Sequence, residues 1–163
     1  MTLRSGSMKD IYADEEAFAV AYSHYQKGKD LLQRRPTVTF AQDALDEFET
    51  AANMGLVRAM YYAGAIHDNP MLDANCTDAE GYVWLVKAAE FGEPGAAELL
   101  HDHYSRGMYR LENKSAKLSI LGILSGYGYP DVRRDIQCLL EERSGECHVN
   151  GGTANTHLEQ RVR

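Results

Sequence analysis

The residues most able to do chemistry are His101, Asp102 and His103, because imidazole and carboxylate groups are common zinc ligands. On a helix, however, side chains two residues apart point about 200° from one another, so both imidazoles do not easily close on one ion. His67 would have to join them from a neighbouring helix. We therefore expect these histidines to be ordinary surface or partly buried residues, and we expect neither a metal ion nor another cofactor.

The cysteines offer no second metal site. Cys138 and Cys147 stand close to His148, but their spacing does not build a zinc site. With Cys76 they make three cysteines at no repeating interval, so no disulfide framework is implied. Reduced cysteines are typical of the cytoplasm, which is where we expect the protein to be.

Carboxylates could act as general acids and bases if two of them, or a nucleophile and a base, converged in a pocket. One stretch is rich in acidic residues, namely Asp43, Asp46, Glu47 and Glu49. On a helix these carboxylates lie on faces away from the apolar residues, which favours a solvated face. Gly126-Tyr127-Gly128 is not followed by a strand-to-helix phosphate motif, so it indicates a helix end and a turn. The sequence therefore does not predict an enzyme.

Composition excludes several classes of partner. The chain has 163 residues, of which 44% are hydrophobic and 25% charged, and its formal net charge is -7. Binding to a phosphate backbone needs clustered Lys and Arg, so we expect no nucleic-acid partner. No stretch approaches the ~18 consecutive apolar residues of a membrane span. We expect no secretory signal, because residues 1–10 are followed by no apolar stretch long enough for one. We expect no membrane association.

The elements that position these residues recur along the chain. Ala51-Ala52-Asn53-Met54-Gly55 is matched 37 residues later by Ala88-Ala89-Glu90-Phe91-Gly92. A degenerate third copy ends at Gly128, a further 36 residues on. Glycine adopts positive φ at low cost and so commonly ends a helix. We predict helices of one type, the B helices, that end near Gly55, Gly92 and Gly128.

A second pattern defines A helices, in which relative positions one, five, nine and twelve share one helical face. The four copies are Ala17, Ala21, Tyr25 and Gly28; Ala59, Ala63, His67 and Pro70; Ala96, Leu100, Tyr104 and Gly107; and Val132, Ile136 and Leu140. A and B helices alternate, and an unpaired A helix from about Asp131 to Glu142 closes the array. We predict seven helices and essentially no strand. Among the aromatic residues, the phase predicts Tyr62 in the core and Tyr61 at the surface.

The stretch from Asp78 to Gly92 resembles the B helix of Sel-1-like repeats, which are relatives of tetratricopeptide repeats. The resemblance rests on Trp84, the alanine pair and the closing glycine, and it extends from about Glu15 to Arg143. His101 replaces a glycine of the A-helix pattern, the second A helix is atypical, and the third B helix has lost its alanine pair. The resemblance implies an all-α, right-handed α-α superhelix (solenoid) of antiparallel helix pairs, with about three repeats and a capping helix. Such proteins scaffold protein assemblies, often in bacteria.

The resemblance implies a protein–protein interaction module, that is, an adaptor, scaffold or regulatory protein with a protein or peptide partner. Relative positions three, seven and ten of the A helices lie nearly opposite the apolar face, and in tetratricopeptide-like stacks this side lines a concave groove. The predicted partner-binding residues on this side and beside it are Gln26, Lys27, Tyr61, Asp68, Asn69, Glu98, Asp102, Arg106 and Arg134. We call them the A-helix surface.

Two other functions stay open, namely an enzyme with an acidic or histidine-containing groove and a structural homo-oligomer. For domain organisation we predict an N-terminal extension over residues 1–12, a repeat domain over 13–143 and a flexible tail over 144–163. The tail has no apolar stripe to offset the entropy of ordering the chain.

Overall fold

The computed structural model describes residues 15–34, 38–69, 78–107 and 114–141, and all regular structure in these ranges is helical. The seven helices are α1 (Glu15–Arg34), α2 (Val38–Asn53), α3 (Val57–His67), α4 (Asp78–Glu90), α5 (Pro94–Ser105), α6 (Lys114–Ser125) and α7 (Pro130–Leu140). The prediction of an all-α chain with seven helices is therefore confirmed for this part of the molecule. The predicted extension and tail lie outside it. None of the described helices is long and apolar enough to cross a membrane.

The B helices α2, α4 and α6 end at the predicted glycines. Gly55, Gly92 and Gly128 have φ angles of 97°, 91° and 84°, a region that side chains with a Cβ rarely adopt. Each glycine follows its helix by two or three residues. The positive φ of this glycine lets the chain reverse direction after each B helix. This is a local physical reason for its recurrence.

The first two of these helix ends are Schellman motifs with the same hydrogen bonds. The N–H of Gly55 donates to the carbonyl of Ala52 at 2.9 Å, and that of Leu56 donates to Ala51 at 3.0 Å. At the end of α4, Gly92 donates to Ala89 at 3.0 Å and Glu93 donates to Ala88 at 2.9 Å. All four alanine side chains are buried. Each alanine pair thus combines two functions, since its carbonyls cap the helix and its methyl groups pack in the core.

The chain forms two compact units, residues 1–96 and 97–163. In the first unit α1 packs against α2, α2 against α3 and α3 against α4. The tightest approach joins α3 and α4, where a Cβ on Gly64 would lie 2.7 Å from Cγ of Leu85 and one on Gly81 would lie 2.6 Å from Cβ of His67. Because the later residue of α3 meets the earlier residue of α4, the two helices run antiparallel.

Aromatic rings fill the space between α1, α2 and α3. Phe48 stacks on Tyr62 with ring centroids 4.9 Å apart, and Tyr25 contacts both rings at 5.9 and 5.6 Å. Tyr62 thus packs with the core as predicted, although its side chain stays partly exposed. Tyr61 is also only partly exposed, because its ring lies against Gly95 and the edge of Tyr62.

In the second unit α6 packs against α7, and the core includes Leu100, Ile120, Leu121, Leu124 and Val132. The predicted apolar stripe of α7 is confirmed at Val132, which is buried, and is wrong at Leu140. Leu140 is 64% exposed, whereas Asp135 is buried. The physical reason is that the hydroxyl of Tyr104 in α5 donates to the Asp135 carboxylate, which turns this face of α7 inward.

Candidate functional site

The A-helix surface of the first unit is accessible to a partner. Lys27 and Asn69 are exposed, and Gln26, Tyr61 and Asp68 are partly exposed. The contacts of Tyr61 with Gly95 and Tyr62 fix its ring in place while leaving part of it at the surface. A pre-positioned aromatic ring loses little entropy on binding, which favours Tyr61 as a contact residue.

In the second unit the same surface carries two arginines beside carboxylates. Arg106 Nε lies 2.9 Å from Oδ1 of Asp102, one helical turn away, and Arg134 Nε lies 3.6 Å from Oδ1 of Asp135. Both guanidinium groups are exposed, as is Glu98, and Asp102 is partly exposed. The Arg106–Asp102 pair is exposed, and such pairs contribute only about 0–1 kcal/mol, so a partner's carboxylate could replace this contact at low cost. Asp135, in contrast, is buried.

A cluster of hydrogen-bonded side chains joins three helices of the first unit. His67 Nε2 lies 3.3 Å from Oε1 of Glu49, and the indole N–H of Trp84 donates to the same oxygen at 3.3 Å. The His67 side chain is only 2% exposed, and its Nδ1 has no hydrogen-bond partner in the structure. Because Glu49 lies in α2, His67 in α3 and Trp84 in α4, this arrangement holds the helices together.

The acidic residues of α2 only partly fit the expected solvated face. Asp43 and Asp46 are exposed, but Glu47 and Glu49 are partly buried. Glu47 lies 2.5 Å from Nδ1 of His24, so its carboxylate ties α1 to α2. Long-range histidine partners cannot be inferred from the local pattern of acidic residues, which is why the sequence did not reveal them.

His101 belongs to a second cluster, on α5 and at the start of α7. Its Nε2 lies 2.8 Å from Oδ2 of Asp131, and its ring stacks on Tyr129 with centroids 4.0 Å apart. Burial opposes ionisation of Asp131, but the hydrogen bond and charge of His101, together with backbone N–H groups, outweigh it and lower the pKa of this carboxyl. Burial, followed by the charges of Glu98 and Asp131, raises the pKa of Tyr129.

The two histidines of the candidate metal motif face different surroundings. His103 is buried, whereas His101 is partly exposed and pairs with Asp131. Within the described ranges, no group of three or more His, Cys, Asp or Glu side chains could hold a metal ion. The contacts that the structure shows for His101 are the hydrogen bond to Asp131 and the ring stack on Tyr129.

Sequence reasoning missed two exposed apolar side chains, Val83 on α4 and Phe91 directly after its last residue, which are 48% and 57% exposed. A signal for Phe91 was available, since Met54 precedes the first cap glycine as Phe91 precedes the second, and Met54 is exposed as well. Large apolar residues repeated at an exposed helix end are a reason to suspect a contact surface.

Comparison with known proteins adds no family to these observations. No family model, curated protein or solved structure matches the chain. The resemblance to Sel-1-like repeats therefore rests on Trp84, the alanine pairs and the closing glycines alone.

Proposed function

We propose that this chain is a helical-repeat protein that binds a protein or peptide partner on its A-helix surface, and that it is not an enzyme. One observation carries the proposal: all nine residues of this surface are at least partly exposed, while Ala21, Ala63 and Leu100 on the opposite faces of the same helices are buried. Each repeat thus uses one helix face for the core and leaves the other free for recognition.

A right-handed solenoid like that of the Sel-1-like repeats is the arrangement we propose for these helices. Repeat-equivalent contacts support it. The ring of Tyr25, at relative position nine of the A-helix pattern in α1, contacts the ring of Tyr62, at relative position four in α3. Likewise, Tyr104, at relative position nine in α5, donates a hydrogen bond to Asp135, at relative position four in α7. Recurrence of the same pair of positions is what stacking of similar repeats produces, because each repeat contacts its neighbour in the same way.

The B helices support the same arrangement. Small side chains at Ala51, Ala52, Ala88 and Ala89 let helix backbones approach closely, and all four are buried. Trp84 of α4 bonds to Glu49 of α2, so successive B helices are also in contact. A stack of this kind presents an extended surface that suits a peptide or a partner helix.

The chemistry of the A-helix surface indicates where binding energy would concentrate. Interfaces usually depend on a few aromatic and arginine residues, which here are Tyr61, Arg106 and Arg134. The A-helix surface holds acidic and basic residues in equal number, so we expect moderate salt sensitivity, not the steep dependence of a phosphate binder. A mixed-charge protein segment fits this surface better than a polyanion does.

Affinity capture with cross-linking from the native host's cells tests the proposal. We expect the wild-type chain to capture a heterologous protein that the Tyr61→Ala/Arg106→Ala/Arg134→Ala variant does not capture. A matched control, Tyr127→Ala/Lys114→Ala/Arg133→Ala, changes a partly exposed tyrosine and two exposed basic residues outside this surface. Capture of the chain's own copies alone would support a structural homo-oligomer instead.

A further inference from the structure

The negative charge of the described residues is concentrated in α2, α3, α4 and the turns beside them. Residues 38–69 and 78–96 hold nine acidic residues and two basic ones, Arg58 and Lys87. Acidic and basic residues balance in α1 and in the described residues of the second unit. The helix α2 has four acidic residues and no basic one. Among the described residues, the part of the chain from α2 to α4 is therefore far more acidic than the rest.

A stripe of exposed residues runs along α4 within this acidic region. Its members, which we call the α4 outer stripe, are Glu80, Val83, Lys87, Glu90 and Phe91. The members from Glu80 to Glu90 follow one another by three or four residues, and Phe91 follows Lys87 by four, so all five lie on one side of the helix and its C-terminal turn. The two apolar members lie about 12 Å apart along the axis at 1.5 Å per residue. Carboxylates flank both of them, so this is an apolar surface with an acidic border.

The stripe holds two carboxylates, Glu80 and Glu90, and one cation, so its own net charge is -1. Lys87, the only cation of the stripe, lies over the Trp84 ring, 4.9 Å from its centroid. The hydrogen bond from Trp84 places the Glu49 carboxylate of α2 beside α4. Asp43 and Asp46 of the same helix are exposed. A partner approaching the α4 outer stripe therefore meets apolar side chains and a surplus of carboxylates.

We propose that the α4 outer stripe docks a basic amphipathic helix of a partner protein. Charge complementarity selects this occupant, because Lys or Arg beside an apolar face would meet Glu80 and Glu90 while apolar residues two turns apart cover Val83 and Phe91. A second copy of this chain brings the same acidic surface and is repelled. The site is separate from the A-helix surface and goes beyond the function proposed for it.

Trp84 supplies a direct reporter, since it is the chain's single tryptophan and lies on the same helix. The probes are two tryptophan-free amphipathic helical peptides with identical Leu positions, one with Lys and one with Glu on its polar face. We expect the Lys peptide to bind and to shift Trp84 fluorescence, and the Glu peptide to do neither. Because the Debye length falls from about 10 Å at 0.1 M salt to about 3 Å at 1 M, affinity for the Lys peptide should fall at least tenfold over that range.

Substitutions separate the contribution of the apolar side chains to Lys-peptide binding from that of the carboxylates. Val83→Ser/Phe91→Ser should weaken Lys-peptide binding at least tenfold without changing the charge. Glu80→Gln/Glu90→Gln should weaken it and flatten the salt dependence. The control Val20→Ser/Leu140→Ser removes two equally exposed apolar side chains elsewhere and should bind as wild type does. If the Val83/Phe91 double variant unfolds, the single variant Phe91→Ser is tested instead, because Phe91 lies beyond the last residue of α4.

Several outcomes would overturn the proposal. The first is that the Lys peptide does not bind. The second is that the Glu peptide, or a scrambled Lys peptide without an apolar face, binds as tightly as the Lys peptide. The third is that the Val83→Ser/Phe91→Ser variant binds the Lys peptide with wild-type affinity. Self-association that this variant abolishes in sedimentation would make a second copy the occupant instead. The Tyr61/Arg106/Arg134 variant should still bind the Lys peptide, so this site and the A-helix surface can fail independently.

Discussion

The hydroxyl of Tyr104 donates a hydrogen bond to Oδ2 of Asp135, 3.2 Å away, although Asp135 is only 3% exposed. The other carboxylate oxygen of Asp135 has no hydrogen-bond partner in the structure. Tyr104 and Asp135 lie on α5 and α7, and His101 and Asp131 pair one turn earlier in both helices. The near-constant offsets of 31 and 30 residues indicate that α5 and α7 run parallel, as A helices of successive repeats should.

Tyr104→Phe tests how much this buried hydrogen bond contributes. The change removes the donor and leaves a buried carboxylate less satisfied, so we expect a loss of ~1–3 kcal/mol in the free energy of unfolding. Chemical denaturation measures it. In a Tyr104→Phe/Asp135→Leu variant the unsatisfied carboxylate is gone, and part of the loss should be recovered. A single variant as stable as wild type would mean that the hydrogen bond does not stabilise this unit.

Ala88→Leu and Ala89→Leu test the close packing of the B helices. Both alanines are buried, so extra methylene groups should overpack the junction and cost ~1–3 kcal/mol each. Ala79→Leu, at an exposed position in the first turn of the same helix, is the matched control and should change stability little. Thermal unfolding of all three variants decides the matter. Wild-type melting temperatures for both core variants would show that the alanine pair has room around it.

Gly92→Ala and Gly122→Ala should change stability in opposite directions. Gly92 has φ of 91°, where a Cβ costs ~1–2 kcal/mol. Gly122 lies inside α6 with open space around the position of a Cβ, so alanine should stabilise that helix by ~0.5–1 kcal/mol. Denaturation midpoints compare the two variants. The same sign for both would contradict the assigned conformations.

Asp131→Asn should remove one acid-sensitive contribution to stability. The pKa of Asp131 is lowered in the folded state, below the ordinary value of 3.8, because His101 and backbone N–H groups outweigh its burial. Its stabilising effect is therefore complete above the unfolded-state pKa and is lost as the pH falls through the folded-state pKa. We expect the stability difference between wild type and variant to shrink as the pH falls below about 4. A difference that does not change with pH would contradict this.

The repeated helices could be predicted from the sequence because their signals are local. The positive φ of Gly55 and Gly92 and the burial of Ala51 and Ala88 follow from short motifs that recur at a fixed interval. Each motif determines a helix end or a buried face on its own. Their agreement from copy to copy strengthened the prediction.

The polar contacts could not be predicted in this way, because they depend on partners far along the chain. Asp135 is buried because Tyr104, 31 residues earlier, donates to it, and the periodicity of α7 alone placed Leu140 in the core instead. The same holds for the contact between Glu49 and Trp84, 35 residues apart. Exposure of Val83 likewise depends on which side of α4 its neighbours cover.

Calorimetry with the captured partner tests most directly whether the A-helix surface binds it. The Tyr61→Ala/Arg106→Ala/Arg134→Ala variant should stay folded by circular dichroism and lose at least tenfold in affinity, which corresponds to about 1.4 kcal/mol or more. The Tyr127→Ala/Lys114→Ala/Arg133→Ala control should bind within about twofold of wild type, as variants outside an interface do. Wild-type affinity in the first variant, or an equal loss in both, would contradict recognition by the A-helix surface.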